Sequence, residues 1–426
     1  MRAIGRTIAL TFSVVAIVAA TLLPGNAIDP GRMPPPWCLA CGDLWLTDVV
    51  SNVVLFMPLG AALAWKRSTP QMAWLVATAL GALLSLTVES LQSMGIPPGR
   101  SSAVADILSN STGTAVGFAV VRYGSQALNA IGLAASRLAG LWAVGVALIL
   151  SLTSMAVQPR PAWLDRTNVP PVLAPSAFEH VPRFPWFGGV NDSASLNGYR
   201  VQRGWSGPII VTADRDTPQW EGAVTVRGFD PNPRRIPLLF AHVAGDSAPL
   251  FMITQHGIDA ELVVTRRAAD WGLAMPSVRL AGAFAARAPD DPRPLTLIGV
   301  SDTRALQLSS RTVQGAAQTA SQSATVALTP ILGWAMLQSQ VEVADWGAPF
   351  VMCCWLLTLY APIGWWTRRA LLGGRRAAWI PALTVVLLPA ALSRLAAIAQ
   401  PALLEWAIIF AALVVGAAAS ARRSAR

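Results

Sequence analysis

Eight nearly unbroken apolar windows organise the chain, at 7–23, 48–65, 72–92, 103–122, 138–157, 348–366, 377–394 and 402–420. At about 1.5 Å per residue, each is of a length to cross a hydrocarbon layer of about 30 Å, the first being the shortest. Between the fifth and sixth windows the pattern changes. A proline-rich stretch covers 159–183, and short alternating runs follow, among them "WEGAVTVRGF", "IPLLFAHVAG", "PLFMITQHG" and "PLTLIGVS". Gly, Pro, Asp and Asn break these runs at roughly ten-residue spacing, the pattern of short strands with one buried face. The periodicity therefore predicts a polytopic α-helical membrane protein of about eight transmembrane helices with an extracytoplasmic all-β sandwich of jelly-roll type. The expected organisation is a five-helix module over 1–158, the linker 159–183 and the sandwich over 184–312. A return segment over 313–346, with an interfacial helix, and about three further helices over 347–426 complete it.

Composition sharpens this picture. The chain is 54% hydrophobic and 13% charged, where a soluble domain carries about 25% charged residues. Its net charge of +10 is dispersed over short loops, which argues against a nucleic-acid-binding face. Arg2 and Arg6 precede the first window; Lys66 and Arg67, Arg122 and Arg137, Arg368, Arg369, Arg375 and Arg376, and "ARRSAR" fill alternate connections. With a cytoplasmic N-terminus, all of them fall on the cytoplasmic side, as the positive-inside rule requires. Both termini are then cytoplasmic, the sandwich is extracytoplasmic, and the membrane is the cell's inner (plasma) membrane. The first window resembles a signal peptide, but is read as a retained helix because further spans follow. Pro389, Arg394 and Pro401 keep a re-entrant hairpin open for the last two windows.

Polar residues interrupt the apolar windows at one depth. Asp48 and Asn52 are four apart, Glu89 and Gln92 three apart, Arg100 lies in a short turn, and Asp106 and Asn110 are again four apart. Gly113 and Gly117 continue the face of Asn110. The topology puts the whole set at the outer leaflet, where charge costs less than the roughly 2.5–3.5 kcal/mol of the bilayer centre. Glu89 sits mid-run and needs a partner, for which Arg100 is the obvious candidate. The set reads as a binding site for a polar or anionic headgroup, as helix capping and close packing, or as a structural Glu–Arg–Asp network. No histidine lies in these spans to act as a base, so binding ranks above catalysis.

The ordered motifs "DVVSNVVLFMPLG", "SLTVESLQ" and "GRSSAVADILSNSTGTAVG" resemble the VanZ-like membrane family, over about residues 7–122 and extending to 158. On that resemblance Asp48, Asn52, Phe56, Pro58, Gly60, Glu89, Gln92, Arg100, Asp106, Asn110, Gly113 and Gly117 occupy motif positions. Ala103 departs from the pattern, since family members often carry an acid there. The family takes its name from glycopeptide-antibiotic resistance, and its biochemical activity is undefined. The resemblance implies a bacterial cell-envelope protein that binds a lipid, glycan or glycopeptide-like ligand at the outer leaflet. Its partners would be membrane lipids and an envelope glycan or lipid-linked precursor, with no nucleic acid. Competing readings are an intramembrane enzyme using Glu89, Asp106 and Arg100 on a lipid-linked headgroup, and a non-catalytic scaffold presenting a carbohydrate-binding jelly roll.

The β segment resembles a concanavalin-A-like, laminin-G-type domain. Asp192, Asp214 and Asp216 read as solvated turn acids before Ca²⁺ ligands. Trp186, Trp205, Trp220 and Trp271 read as sandwich-core residues before sugar platforms. His242 and His256 lack metal-ligand spacing. No metal or cofactor is expected. Cys38 and Cys41, in an oxidising compartment on this topology, read as a disulfide or idle thiols before half of a metal site or a redox pair, since no second cysteine pair or nearby histidine completes a zinc site. Cys353 and Cys354 lie in the sixth window as small apolar residues.

Overall fold

The computed structural model describes residues 2–22, 37–39, 44–64, 70–98, 100, 102–159, 187–205, 209–212, 219–230, 235–242, 249–285, 287–288, 290–314, 317–337 and 347–424. Five helices come first: α1 (Arg2–Leu22), α2 (Trp45–Ala64), α3 (Pro70–Ser93), α4 (Val104–Asn129) and α5 (Leu133–Ala156). After two single turns, α6 (Arg267–Asp270) and α7 (Gly333–Met336), three more helices close the chain: α8 (Ala348–Leu372), α9 (Trp379–Leu395) and α10 (Leu403–Ser424). Seven of these are long and apolar enough to cross a membrane, whereas the apolar part of α1, Thr7–Leu22, is shorter. Seven rather than eight helices thus meet the length that a span requires. α9 and α10 are two separate helices joined by a short loop, each long and apolar enough to cross a membrane.

Glycine sets the closest helix contacts. A Cβ on Gly117 would fall on the Met57 backbone and one on Gly60 on the Thr114 backbone, so α2 and α4 pack with their main chains nearly touching. Gly364 and Gly416 do the same for α8 and α10. Between helices in lipid this close approach is the main source of attraction, because the tails are as apolar as leucine.

Two sheets form the intervening domain. The strands are β1 (Val190–Leu196), β2 (Tyr199–Trp205), β3 (Ile209–Thr212), β4 (Trp220–Arg227), β5 (Arg235–His242), β6 (Pro249–His256) and β7 (Asp259–Val264). β8 (Ser277–Leu280), β9 (Leu295–Ser301), β10 (Ala305–Gln314) and β11 (Ala317–Ala327) follow. One sheet has the order β11-β10-β9-β4-β1-β2 and the other β3-β5-β6-β7-β8. Neighbours are antiparallel except β3 and β5. Alternate residues of β4 and β9 are buried, and Val224, Val226, Leu297 and Leu308 of one sheet share a core with Leu239, Phe251, Leu262 and Val278 of the other. Because β10 and β11 continue to Ala327, the sheets extend past residue 312. Among the described residues of the return segment there is one buried turn, α7 (Gly333–Met336), with Ile331, Leu332 and Met336 in core clusters; residues 338–346, where the interfacial helix could continue, lie outside the described residues.

The sandwich grips three ends of the helical part. Thr47, at the start of α2, donates through its backbone to Gly272 O (3.1 Å) and through its hydroxyl to Met336 O (3.0 Å), and accepts from Ala274 N (3.1 Å). Beyond α5, Pro159 bridges Arg266 and Arg267 N donates to Gln158 O. In the α9–α10 loop, Ala399 N donates to Leu328 O, and Ile398 enters the sandwich core. Arg266 is wholly buried at this junction, held by Ser301 Oγ and by Asp302 O at 2.8 Å. Burial pulls its guanidinium down to about 10, against the nearby charge of Asp302.

At the other ends of the helices, the α4–α5 link meets α8. Trp366 Nε1 donates to Ala127 O (2.9 Å), Trp365 Nε1 to Leu128 O (3.2 Å), and Arg369 to Asn129 O and Ala130 O. These carbonyls belong to the last turn of α4 and its C-cap Ala130, where helix carbonyls run short of intrahelical donors although Ala127 O also accepts from Ala130 N, and a cation there complements the helix dipole.

Candidate functional site

The polar residues singled out in the sequence converge at the sandwich-side ends of α2, α3 and α4. Asp48 stands in the first turn of α2 and Asp106 in the first turn of α4, where a negative charge is favoured by the helix dipole. Asn52, one turn along from Asp48, donates its Nδ2 to Asp106 Oδ1 at 2.8 Å and ties α2 to α4. Asp48 and Arg100 lie within electrostatic range of Asp106, and Asp106 within range of Glu89. Asp48, Asn52, Arg100 and Asp106 are half-buried, whereas Glu89, Gln92 and Asn110 are buried.

The expected Glu89–Arg100 ion pair does not form. Glu89 Oε2 instead accepts from the Ala103 backbone N–H at 2.8 Å. Ala103 is the N-cap of α4 and offers no side-chain cap, so a carboxylate from α3 satisfies a donor that the helix start leaves open. The next amide, Val104 N, donates to Cys38 O. Arg100 turns the other way, donating to Ala20 O at 3.0 Å, and Gln92 Nε2 donates to Thr21 O at 3.1 Å. Ala20 and Thr21 belong to the last turn of α1, where carbonyls are orphaned and a cation is favoured. Two of the seven residues therefore anchor α1.

One turn below Glu89 and Asp106, Asn110 Nδ2 donates to Ser85 Oγ at 2.8 Å, and Thr114 Oγ1 donates to Asn110 O. Ser85 and Thr114 are fully buried. Sequence reasoning missed both, although Ser85 is four residues before Glu89 and Thr114 four after Asn110, each pair on one helix face. Asn110 Oδ1 and Ser102 Oγ are buried without a hydrogen-bond partner.

The other candidates do not join this cluster. Cys38 is disulfide-bonded, while Cys41, like Trp186, Asp214 and Asp216, lies outside the described residues. Cys353 and Cys354 are free thiols. Asp192 pairs with Arg227, Nε to Oδ2 at 2.7 Å and Nη2 to Oδ1 at 2.6 Å. His242 and His256 sit at opposite ends of the β5–β6 ladder. Trp220 is a core residue and Trp271 packs against that core; of Trp205 only the backbone in β2 is described. Among the described residues, no three His, Cys, Asp or Glu gather to hold a metal ion.

Seven apolar helices joined to a β-rich domain define a multi-pass membrane protein. Residues 7–125, which carry the polar cluster and its motifs, match the family model described as VanZ/LLP1. No curated protein and no solved structure matches the chain.

Proposed function

We propose that this is a cell-envelope protein that binds the polar headgroup of an envelope lipid or glycan, at the membrane surface nearest the sandwich. Asp106 carries the proposal: one oxygen accepts from Asn52, and the other has no partner among the described residues. That second oxygen of half-buried Asp106 leaves an acceptor open at the start of α4, which on the proposed topology is where a headgroup would lie. The catalytic alternative is the second reading, since Glu89 Oε2 and Arg100 Nη2 each bond a backbone group while Arg100 Nε is buried without a partner. The sandwich is read as extracytoplasmic, with cytoplasmic termini in the inner membrane, because the basic α4–α5 and α8–α9 connections lie away from it. Its two sheets, antiparallel apart from the β3–β5 pair, support the concanavalin-A-like jelly-roll reading, and a role in glycopeptide resistance remains part of the proposal through the family name alone.

Native mass spectrometry of the detergent-purified protein tests this. Asp48→Asn with Asp106→Asn removes the two charges and keeps an acceptor for Asn52. The wild type is expected to retain a defined lipid or glycan that the double variant, at matched thermal stability, loses. Identical nonspecific lipid on both would overturn the proposal.

A further inference from the structure

We infer that the turn between α8 and α9 binds the phosphate of an anionic phospholipid. This turn lies at the opposite end of the helices from Asp106, and its assignment is independent of the headgroup reading above.

Acids are missing from this end of the helices. From 107 to 156 and from 347 to 426, Glu405 is the only carboxylate side chain. It stands in the first turn of α10, at the sandwich end, and accepts from Ala402 N at 2.7 Å. Arginines crowd the far end instead: Arg122, Arg137, Arg368, Arg369, Arg375 and Arg376. Membrane sidedness depends on Lys and Arg and is nearly indifferent to Asp and Glu. Topology thus accounts for the arginines and not for the absence of acids. Elsewhere the chain pairs its arginines: in the sandwich Arg227 meets Asp192, Arg235 meets Glu261 and Arg279 meets Asp259. At the α8–α9 turn, Arg368, Arg375 and Arg376 are exposed, and among the described residues no ion pair or side-chain hydrogen bond holds them.

The backbone gathers these three. Gly374, at φ +77°, reverses the chain, with Gly373 N donating to Arg369 O (3.3 Å), Gly374 N to Leu371 O (2.9 Å) and Arg375 N to Ala370 O (3.0 Å). Arg375 and Arg376 are thereby folded back against the end of α8 that carries Arg368. Those carbonyls already have backbone donors, so the arginine side chains are not needed to cap α8. They also stand just before α9, whose start has no acid and no side-chain cap. A cation is unfavourable at that positive end of the helix dipole. An anion relieves this field and the mutual repulsion of the three guanidiniums, whose forks match phosphate oxygens. The apolar rim selects a lipid over a soluble anion. Leu371, Leu372, Trp379 and Ile380 are exposed in and after the turn, and an exposed indole there suits the boundary between headgroups and tails.

The test uses the full chain in phosphatidylcholine nanodiscs containing a minor fraction of phosphatidylglycerol or of phosphatidylethanolamine, with the retained lipid read by native mass spectrometry. Phosphatidylglycerol is expected to be retained over both zwitterionic lipids. Its retention is expected to fall at least about tenfold in the Arg368→Gln, Arg375→Gln, Arg376→Gln triple variant. A second triple variant, Arg200→Gln, Arg304→Gln, Arg311→Gln, removes the same charge from exposed sandwich positions and is expected to leave retention unchanged. Equal loss in both triple variants would reduce the effect to net charge and overturn the inference, as would a wild type without preference for phosphatidylglycerol. Thermal stabilisation by inorganic pyrophosphate in pure phosphatidylcholine nanodiscs, with no lipid preference, overturns the lipid source. Arg375→Gln with Arg376→Gln, confined to the connecting turn, repeats the comparison should the first triple variant fail to fold. The Asp48→Asn, Asp106→Asn variant is expected to retain phosphatidylglycerol as the wild type does, so the two sites stand or fall separately.

Discussion

Glu89 illustrates how a buried charge finds a partner that no linear pattern reveals. Its spacing from Gln92 and its place in an apolar run mark it as exceptional in the sequence. Its partner is a backbone amide fourteen positions on, exposed only because α4 starts there without a capping side chain. Substitution follows from that geometry. Glu89→Gln keeps an acceptor for Ala103 N and should melt within a few degrees of wild type in detergent. Glu89→Leu strands the amide and should cost about 1–3 kcal/mol, read as a clear fall in melting temperature. Equal melting of the two would show that the bond contributes nothing. That these polar residues converge was therefore legible, while their pairing was not. Arg100 and Gln92 answer orphan carbonyls of α1, and which helix end lies nearby is a property of three-dimensional packing.

Among the elements, the α2–α4 pair is the best determined by its residues. Gly60, Gly113 and Gly117 each face main-chain atoms of the opposing helix. Gly117→Leu should force the helices apart, with loss of folded monodisperse protein on size exclusion. Gly140, which faces open space, serves as the contrast: Gly140→Ala should be neutral or stabilising by up to about 1 kcal/mol, the helix-propensity difference. Were Gly117→Leu to elute and melt as Gly140→Ala does, close packing would not be what the glycines provide. Strand prediction succeeded where alternation was apolar, as in β4 and β9. It missed β11, "AQTASQSATVA", whose alternation is carried by Ser, Thr and Gln, and so left the sandwich too short. Trp365, Trp366 and Arg369 look in sequence like an interface belt and a basic loop. In the fold, all three cap the C-terminus of α4.

At the scale of the whole molecule, the helix ends sort into two faces, one gripped by the sandwich and one carrying the basic connections. That sorting makes sidedness testable on intact cells with a membrane-impermeant maleimide, using single cysteines in a background whose native cysteines are replaced. Ser323→Cys, exposed on β11, should label without permeabilisation, and Arg375→Cys, exposed between α8 and α9, only after it. The reverse pattern would invert the topology. The loop between α9 and α10 adds a constraint in time. Ile398 is 3% exposed within the sandwich core, and its neighbour Ala399 bonds to Leu328. During synthesis the ribosome makes all eleven strands well before it makes that loop. Ile398 can therefore join the sandwich core only after α9 has been made, so the last residue to complete that core comes from the helical part of the chain.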